Sequence, residues 1–299
     1  MQKITPNLWF DNNAEEAVAL YTSLFNNSRK GYVSHYGAEG AKVSGMPEGS
    51  VLTVEFQLEG YDFIALNGGP VFKFNPSVSF FIMCQTEEEA DRMWTGLSQG
   101  GSVLMEYQNY PFAKKFGWLN DKFGLSWQVM LAEKPTQKIQ PCLMYVGRQA
   151  GHCEDAINRY VSIFPDSGIV MLSRYGEGGA DKPGTINHGV FSLAGQKFVA
   201  MDSALEHKFA FNEAVSFMVD CKDQKEIDYY WERLTEGGEE SVCGWLKDKY
   251  GVSWQVTPAA LTDMMKDPDT VKVERMMKVF LKMKKIDLVA LVKAFEGKS

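Results

Sequence analysis

Apolar residues recur along this chain in two rhythms. At Ala17, Leu20, Tyr21, Leu24 and Phe25 they fall three and four apart, on one face of a helix beginning near Ala14, and Asn12 and Asn13 just before it are residues that cap helix starts. Elsewhere the period is two. Asn7-Leu-Trp-Phe10 reads as a half-buried strand, and Lys30 to Tyr36, Val51 to Leu58 and Phe63 to Leu66 follow as further strands parted by glycine-rich turns. The order βαβββ then recurs. Ser77 to Cys84 is a strand, Glu87 to Leu97 is a helix with Ala90, Met93, Trp94 and Leu97 on one face, and Val103 to Val129 holds the remaining strands. Helices on one face of a curved mixed sheet leave the other face concave, where a small molecule can be enclosed.

The whole pattern is written a second time. Asp121-Lys-Phe-Gly-Leu-Ser-Trp-Gln-Val129 returns as Asp248-Lys-Tyr-Gly-Val-Ser-Trp-Gln-Val256. Lys3 to Phe10 answers Lys138 to Tyr145, Tyr21 to Phe25 answers Tyr160 to Phe164, Gly60 to Asn67 answers Gly195 to Asp202, and Val78 to Cys84 answers Val215 to Cys221. The offset drifts from 139 residues at Tyr21/Tyr160 to 127 at Trp118/Trp245, so copy one carries extra residues around Leu104 to Phe116. A period this long means tandem domains and not a short-repeat solenoid. The fold class is therefore α+β: copy one over 1–133 and copy two over 138–257, each of two βαβββ units, followed by a helical extension over 258–299. Within that extension Val271 to Met283 and Ile286 to Phe295 read as amphipathic helices, their methionines as adaptable packing, and the tail is expected to dock across the domains. The extra segment of copy one is expected to be a longer hairpin over a cavity mouth, with Tyr107, Tyr110 and Phe112 near a ligand.

Composition narrows the class of partner. A net charge of −7 with no basic run argues against nucleic acid. The N-terminus lacks the apolar core of a signal peptide and no stretch is long and apolar enough to span a bilayer, so the expected setting is cytoplasmic, with no membrane partner. Five cysteines without a C-x-x-C pair read as reduced thiols.

Two βαβββ units closing round a cavity, Tyr-x-x-x-Phe in the first helix and Asp-Lys-Phe/Tyr-Gly-x-Ser-Trp-Gln on the last strand resemble the vicinal oxygen chelate superfamily. Within it, Phe/Tyr-Val/Ile-Ala-Leu/Met-Asn/Asp and Gly-Trp-Leu-x-Asp-Lys are similar to the PhnB-like branch, whose members often carry the label 3-demethylubiquinone-9 3-methyltransferase. Glyoxalase I and the bleomycin- and fosfomycin-resistance proteins are more distant relatives. The resemblance implies a divalent ion at inward positions of the first, fourth, fifth and eighth strands. Those positions are Thr5, Asn67, Ser79 and Gln128 in copy one and Gln140, Asp202, Ser216 and Gln255 in copy two. Each set offers at most one carboxylate and no imidazole, whereas catalytic metal sites need two or three such ligands. The expectation is a cavity with no metal. His35, His152, His188 and His207 are expected on loops or strand ends. The methyltransferase label also lacks support, because Asn67-Gly-Gly-Pro70, Gly100-Gly101 and Gly176-Glu-Gly-Gly179 are turns between strands, and none opens a helix as a nucleotide-type cofactor loop does. No cofactor is expected.

Candidate ligand-binding residues in copy one are Asn7, Trp9, Asn67, Ser79, Glu106, Trp118 and Gln128; the second-copy cavity would use Cys142, Met144, Asp202, Ser216, Trp245 and Gln255. Cys142 and Cys243 read either as a reactive thiol pair or as buried inert thiols, and Glu106 either as a cavity base or as a solvated hairpin charge. Trp127 and Trp254 belong to the core because the neighbouring Gln128 and Gln255 point the other way; Trp118 and Trp245 fit either a cavity wall or the core. Copy one, which keeps Asn7 and Trp9 where copy two has Cys142 and Met144, is the expected binding site. The leading function is a protein that binds a small organic molecule, catalytic or not; the alternatives are a metal-dependent lyase, isomerase or dioxygenase of the glyoxalase type, or a structural assembly role. Single-domain relatives typically pair as dimers, so an internal pseudo-dimer is expected, with a further homodimer left open.

Overall fold

The computed structural model describes residues 2–298. Unit one contains β1 (Ile4–Phe10), α1 (Ala14–Leu24), β2 (Ser28–His35), a short α2 (Ala38–Ser44), β3 (Val51–Leu58) and β4 (Tyr61–Asn67). Unit two contains β5 (Val78–Cys84), α3 (Glu87–Ser98), β6 (Ser102–Tyr110), β7 (Ala113–Asn120) and β8 (Ser126–Leu131). Unit three repeats unit one as β9 (Ile139–Val146), α4 (Cys153–Ile163), β10 (Gly168–Arg174), β11 (Ile186–Leu193) and β12 (Gln196–Ser203). Unit four repeats unit two as β13 (Val215–Cys221), α5 (Gln224–Thr235), β14 (Glu239–Glu240), β15 (Trp245–Lys247) and β16 (Ser253–Pro258). The tail adds α6 (Ala259–Met265), α7 (Thr270–Phe280) and α8 (Leu288–Glu296). No helix among the described residues is long and apolar enough to cross a membrane.

The strands form two eight-stranded mixed sheets, as the βαβββ pattern requires, but the units are shared differently from the expectation that each copy closes its own cavity. The first sheet runs β14-β15-β16-β13-β1-β4-β3-β2 and the second β10-β11-β12-β9-β5-β8-β7-β6. Each sheet thus combines one unit from each copy. Its centre is an antiparallel seam, β1 on β13 in the first and β5 on β9 in the second, and parallel pairs flank each seam. The two copies therefore pack as an internal pseudo-dimer that exchanges units.

Alternation decides which side chains face the helices. On β4, Tyr61, Phe63, Ala65 and Asn67 are buried on the helix side, which sends Ile64 and Leu66 to the concave face. Trp127 and Trp254 are fully buried in the core between sheet and helices, as expected. The Asn12/Asn13 cap on α1 is not used; no side chain at its N-cap makes a capping bond, and Asn67 Oδ1 accepts the Ala14 N–H at 3.0 Å instead. Asp202 caps α4 likewise, accepting from Gly151 N at 2.7 Å and Cys153 N at 3.1 Å. A backbone donor at a helix start needs an acceptor, and these strand-end residues supply it.

The tail docks on the first sheet alone and touches both copies. Glu274 on α7 accepts from the Glu39 backbone N–H of α2 in unit one, and Gln224 on α5 in unit four bonds Ile286 and Leu288. Its turn before α8 also replaces a strand. Where copy one has the long β6–β7 hairpin, unit four has a two-residue β14, and Cys243 N and Gly244 N donate to Met283 O at 2.6 Å and Lys284 O at 2.9 Å.

Because each sheet is completed by the other copy, residues 1–133 and 134–299 made as separate chains should each fail to give a folded monomer and should reconstitute a one-to-one complex when mixed. Size-exclusion chromatography with circular dichroism checks this, and a cooperative monomeric transition from either half alone would contradict the shared-sheet arrangement.

Candidate functional site

The two concave faces are equivalent by the repeat, and their side chains differ in a way that fills one and opens the other. On the second sheet, Phe81 (β5), Phe116 (β7), Cys142 (β9) and Val199 (β12) form a separate buried apolar cluster, with Trp118, Met105 and Met201 packed on it. Tyr110 and Phe112 at the tip of the β6–β7 hairpin stack at 5.3 Å, and both rings meet Phe116. The hairpin does lie over a concave face, as expected, but it plugs it. Tyr107 points the other way and stacks on Trp94 of α3 at 5.0 Å.

On the first sheet the repeat places Met218 where Phe81 stands and Cys243 where Phe116 stands. The chain at Cys243 is also in the left-handed region, at φ 60°, because the shortened hairpin turns there. Losing two aromatic rings leaves a cavity of about 270 Å³ whose walls include Asn7, Thr53 and Leu66 from unit one, Met218, Trp245 and Gln255 from unit four, and Leu261, Met277 and Phe280 from the tail. Gln255 Nε2 donates to Ser216 Oγ at 2.9 Å, and Ser34 and Thr53 hydroxyls share a hydrogen bond of 2.5 Å on the opposite wall. Tyr36, also in the wall, donates its hydroxyl to Asn67 O at 2.6 Å. Among the described residues the charged side chains lining it are Glu55 and Lys266, and they are paired at 2.7 Å. A wider groove beside α7 and α8 is lined by Arg275, Lys278, Lys282 and Lys298, but all four cations are exposed on an open surface.

The candidate residues of copy one are accordingly divided. Asn7 lies in the open cavity, with Trp9 nearby on the same strand face, its indole edge-on to Trp245 at 6.1 Å and donating to Gly69 O at 2.8 Å. Ser79, Trp118 and Gln128 belong to the filled second face, where Gln128 Nε2 donates to Ser79 Oγ at 2.8 Å and Trp118 Nε1 to Ser126 Oγ at 2.8 Å. Glu106 is exposed on the edge strand β6. In the other set, Trp245 and Gln255 line the open cavity and Ser216 is buried behind it, bonded to Gln255, while Cys142 and Met144 are buried on the second sheet. Asn67 and Asp202 are corrected outright: both sit on the helix side, in phase with Phe63 and Phe198, and act as caps. Cys142 and Cys243 occupy different faces and form no pair. Burial pushes their thiols up to about 12 and about 11, against the thiolate form that reactivity needs.

Three of the four histidines do lie at strand ends or loops, but His188 does not. It sits inside β11 with its ring edge-on to Phe81 at 6.0 Å, and burial lowers its pKa. The residues missed include Ser34, Thr53 and Leu66 of unit one, Met218 of unit four, and Leu261, Met277 and Phe280 of the tail. The alternation Phe217-Met218-Val219 on β13 does signal an inward Met218; nothing in the tail's periodicity names the face it covers.

A metal was tested against the donors present. The open cavity brings together Asn7, Gln255, Ser34, Thr53 and Thr257 with one carboxylate, Glu55, held by Lys266, and one thiol, Cys243, which burial keeps protonated; that set does not supply the two or three His, carboxylate or thiolate ligands of a transition-metal or zinc site. Among the described residues no group of three or more His, Cys, Asp or Glu is placed to hold a metal ion.

The sequence matches the 3-demethylubiquinone-9 3-methyltransferase family twice, over residues 2–130 and 137–257. The PhnB protein from Bacillus cereus is 44% identical and covers 44% of this chain and 100% of its own, at a TM-score of 0.41. Protein YjdN of Escherichia coli K12 is 26% identical over 145 residues, 45% of this chain and 99% of its own. Glyoxalase I from Zea mays covers 88% of this chain and 96% of its own at 10% identity and a TM-score of 0.54, a likeness of fold. This chain belongs to the 3-demethylubiquinone-9 3-methyltransferase family, whose model it matches twice in tandem.

Two predictions follow from the unequal faces. Cys142→Phe should overpack the filled second face and lower stability by about 1–3 kcal/mol, whereas Asn7→Phe should enter the open cavity and leave the denaturant midpoint nearly unchanged. Equal losses would mean that the two faces are packed alike. His188, held neutral by burial, binds protons less readily folded than unfolded. Stability should therefore decline as pH falls below about 6.5, and His188→Leu should flatten that part of the profile relative to the parent protein.

Proposed function

We propose that this protein binds a small organic molecule in the cavity of the first sheet, at a single site assembled from unit one, unit four and the tail. The observation that carries this reading is the difference between two faces that began as the same sequence. The second is plugged by Phe81 and Phe116; the first, with Met218 and Cys243 instead, keeps a volume of about 270 Å³. Left empty and closed, such a volume would cost about 6.5 kcal/mol at about 24 cal/mol per Å³. That is comparable to the whole stability of an ordinary domain, about 5–15 kcal/mol. A fold that fills one face and keeps the other open retains the opening against that cost, as a binding site would. Buried hydrogen-bonding groups on otherwise apolar walls are the usual make-up of ligand pockets.

The family's description as methyltransferases, and the metal chemistry of the wider superfamily, are not carried over to this chain. Apart from the Glu55–Lys266 pair and the Cys243 thiol, the polar groups of the cavity are amides and hydroxyls, and the Gly68-Gly69 turn packs against Trp9, where a Cβ on Gly68 would meet ring atoms at 2.2 Å, leaving no cradle for a cofactor. Asn7 and Gln255 would orient the ligand, Trp245 and Phe280 would flank it, and α6 and α7 would shield it from water.

The test moves the plug. Met218→Phe copies the second face's Phe81 into the first. Mass spectrometry of small molecules released by denaturing the purified protein should find a compound with the parent chain that is missing from Met218→Phe, with unfolding temperatures alike. A bound compound retained by Met218→Phe but lost on Cys142→Phe would place the site on the second sheet instead.

A further inference from the structure

We propose that the ligand is neutral and largely apolar, and that it donates a hydrogen bond from its inner end to the side chain of Asn7. A hydroxylated one- or two-ring compound fits; an organic anion or cation does not. This rests on the binding role proposed above and specifies its chemistry.

Asn7 is 6% exposed, and its Oδ1 is wholly buried with no hydrogen-bond partner among the described residues. It stands alternate to the core residue Leu8, so it points at the concave face, and it lines the cavity. Its repeat counterpart is the thiol Cys142, which sits against Ser79 and Gln128 in a filled cluster and needs no such partner. A buried carbonyl oxygen left unpaired is destabilising; it has no open surface as it stands, so the Asn7 amide would turn to present it to a ligand's donor, which would remove that penalty. Gln255, contributed by the other copy, is turned the same way. Its Nε2 is spent on Ser216 Oγ, so its carbonyl oxygen is the end left for a ligand. Two amide oxygens favour a donor over an acceptor.

Charge selects against ions. Glu55 and Lys266 neutralise each other, and Lys266 also lies over the Tyr32 ring at 5.1 Å. Among the described residues no uncompensated charge lines the cavity, and an ion taken from water into apolar walls without a partner is strongly disfavoured. The rest of the wall is apolar and aromatic: Ile64, Leu66, Met218, Trp245, Met277 and Phe280. Thioethers beside rings accept flat molecules of varied outline. The volume of about 270 Å³ equals about nine water molecules at about 30 Å³ each, which suits one or two fused rings.

The experiment uses the full chain at pH 7 and three probes of one shape: 1-naphthol, 1-fluoronaphthalene, which cannot donate, and the anion 1-naphthoate. Calorimetry should find naphthol at least tenfold tighter than fluoronaphthalene, and naphthoate weaker than both. Asn7→Leu should bring naphthol down to the affinity of fluoronaphthalene without weakening the latter. Equal binding of naphthol and fluoronaphthalene, tightest binding by naphthoate, or no binding by any probe up to its solubility would each overturn the inference. The wild-type comparison needs no variant, so poor folding of Asn7→Leu would not protect it. Met218→Phe separates the two claims. If the probes bind alike but Met218→Phe blocks them, the cavity stands as the site and only the donor claim falls; if Met218→Phe leaves their binding unchanged, both fall.

Discussion

One buried carboxylate in each copy holds the two sheets in relation. Asp121 Oδ2 accepts from Tyr21 Oη at 2.6 Å and Trp127 Nε1 at 2.9 Å, and its Oδ1 accepts from the backbone of Phe123 and Leu125. Asp248 repeats the arrangement with Tyr160, Trp254, Tyr250 and Val252. Burial pushes both carboxyls up, and the four donors that converge on each oppose that shift. Tyr21 rides on a helix over the first sheet, while Asp121 and Trp127 belong to the second; Tyr160 and Asp248 make the reciprocal connection. Since every sheet is made from opposite copies, these knots are where a copy remains physically one unit. Removing one of these buried partners costs about 1–3 kcal/mol, against a total of about 5–15 kcal/mol for a domain. That explains why Asp-Lys-Phe/Tyr-Gly-x-Ser-Trp-Gln is the most faithfully repeated phrase in the chain.

The motif, the βαβββ order, the buried Trp127 and Trp254 and the tail helices were all legible, because each is a local pattern repeated at a fixed phase. The exchange of units was not. Val78-Ser-Phe80 and Val215-Ser-Phe217 are identical, so β1 finds the same first three residues on β5 and β13, and periodicity identifies a strand's faces without naming its neighbour. The choice is made by long-range packing, with the Asp121 and Asp248 knots among its terms. The site residues were misassigned for the same reason: Asn7 and Gln128, placed in one cavity by copy, lie on different sheets, and Asn7 meets Gln255 instead.

Asn67 shows a different failure. Its parity matches Phe63 and Ala65, so alternation alone sends it to the helices, yet the superfamily's metal positions suggested the cavity. Parity was the better guide. His188 was misplaced because the second copy's strand β11 was not traced in its own right, although Ile186, Phe191 and Leu193 mark its core-facing residues.

Covalent duplication gives this protein a freedom that two identical chains lack. In a symmetric pair both concave faces carry the same side chains, so any ring added for stability also closes a second cavity. Here Phe81 and Phe116 stabilise one face while Met218 and Cys243 leave the other open, and the tail settles only where the hairpin is short. The long β6–β7 hairpin of unit two occupies the corresponding position on the second sheet. A deletion in one copy and an extension after the other are thus complementary. The cavity has three sources, unit one, unit four and a segment outside the repeat, and the third can vary with little effect on the sheets. Changes at Met277, Phe280 or Leu281 alter the cavity wall without touching a strand, so ligand preference and fold stability are set by largely separate residues.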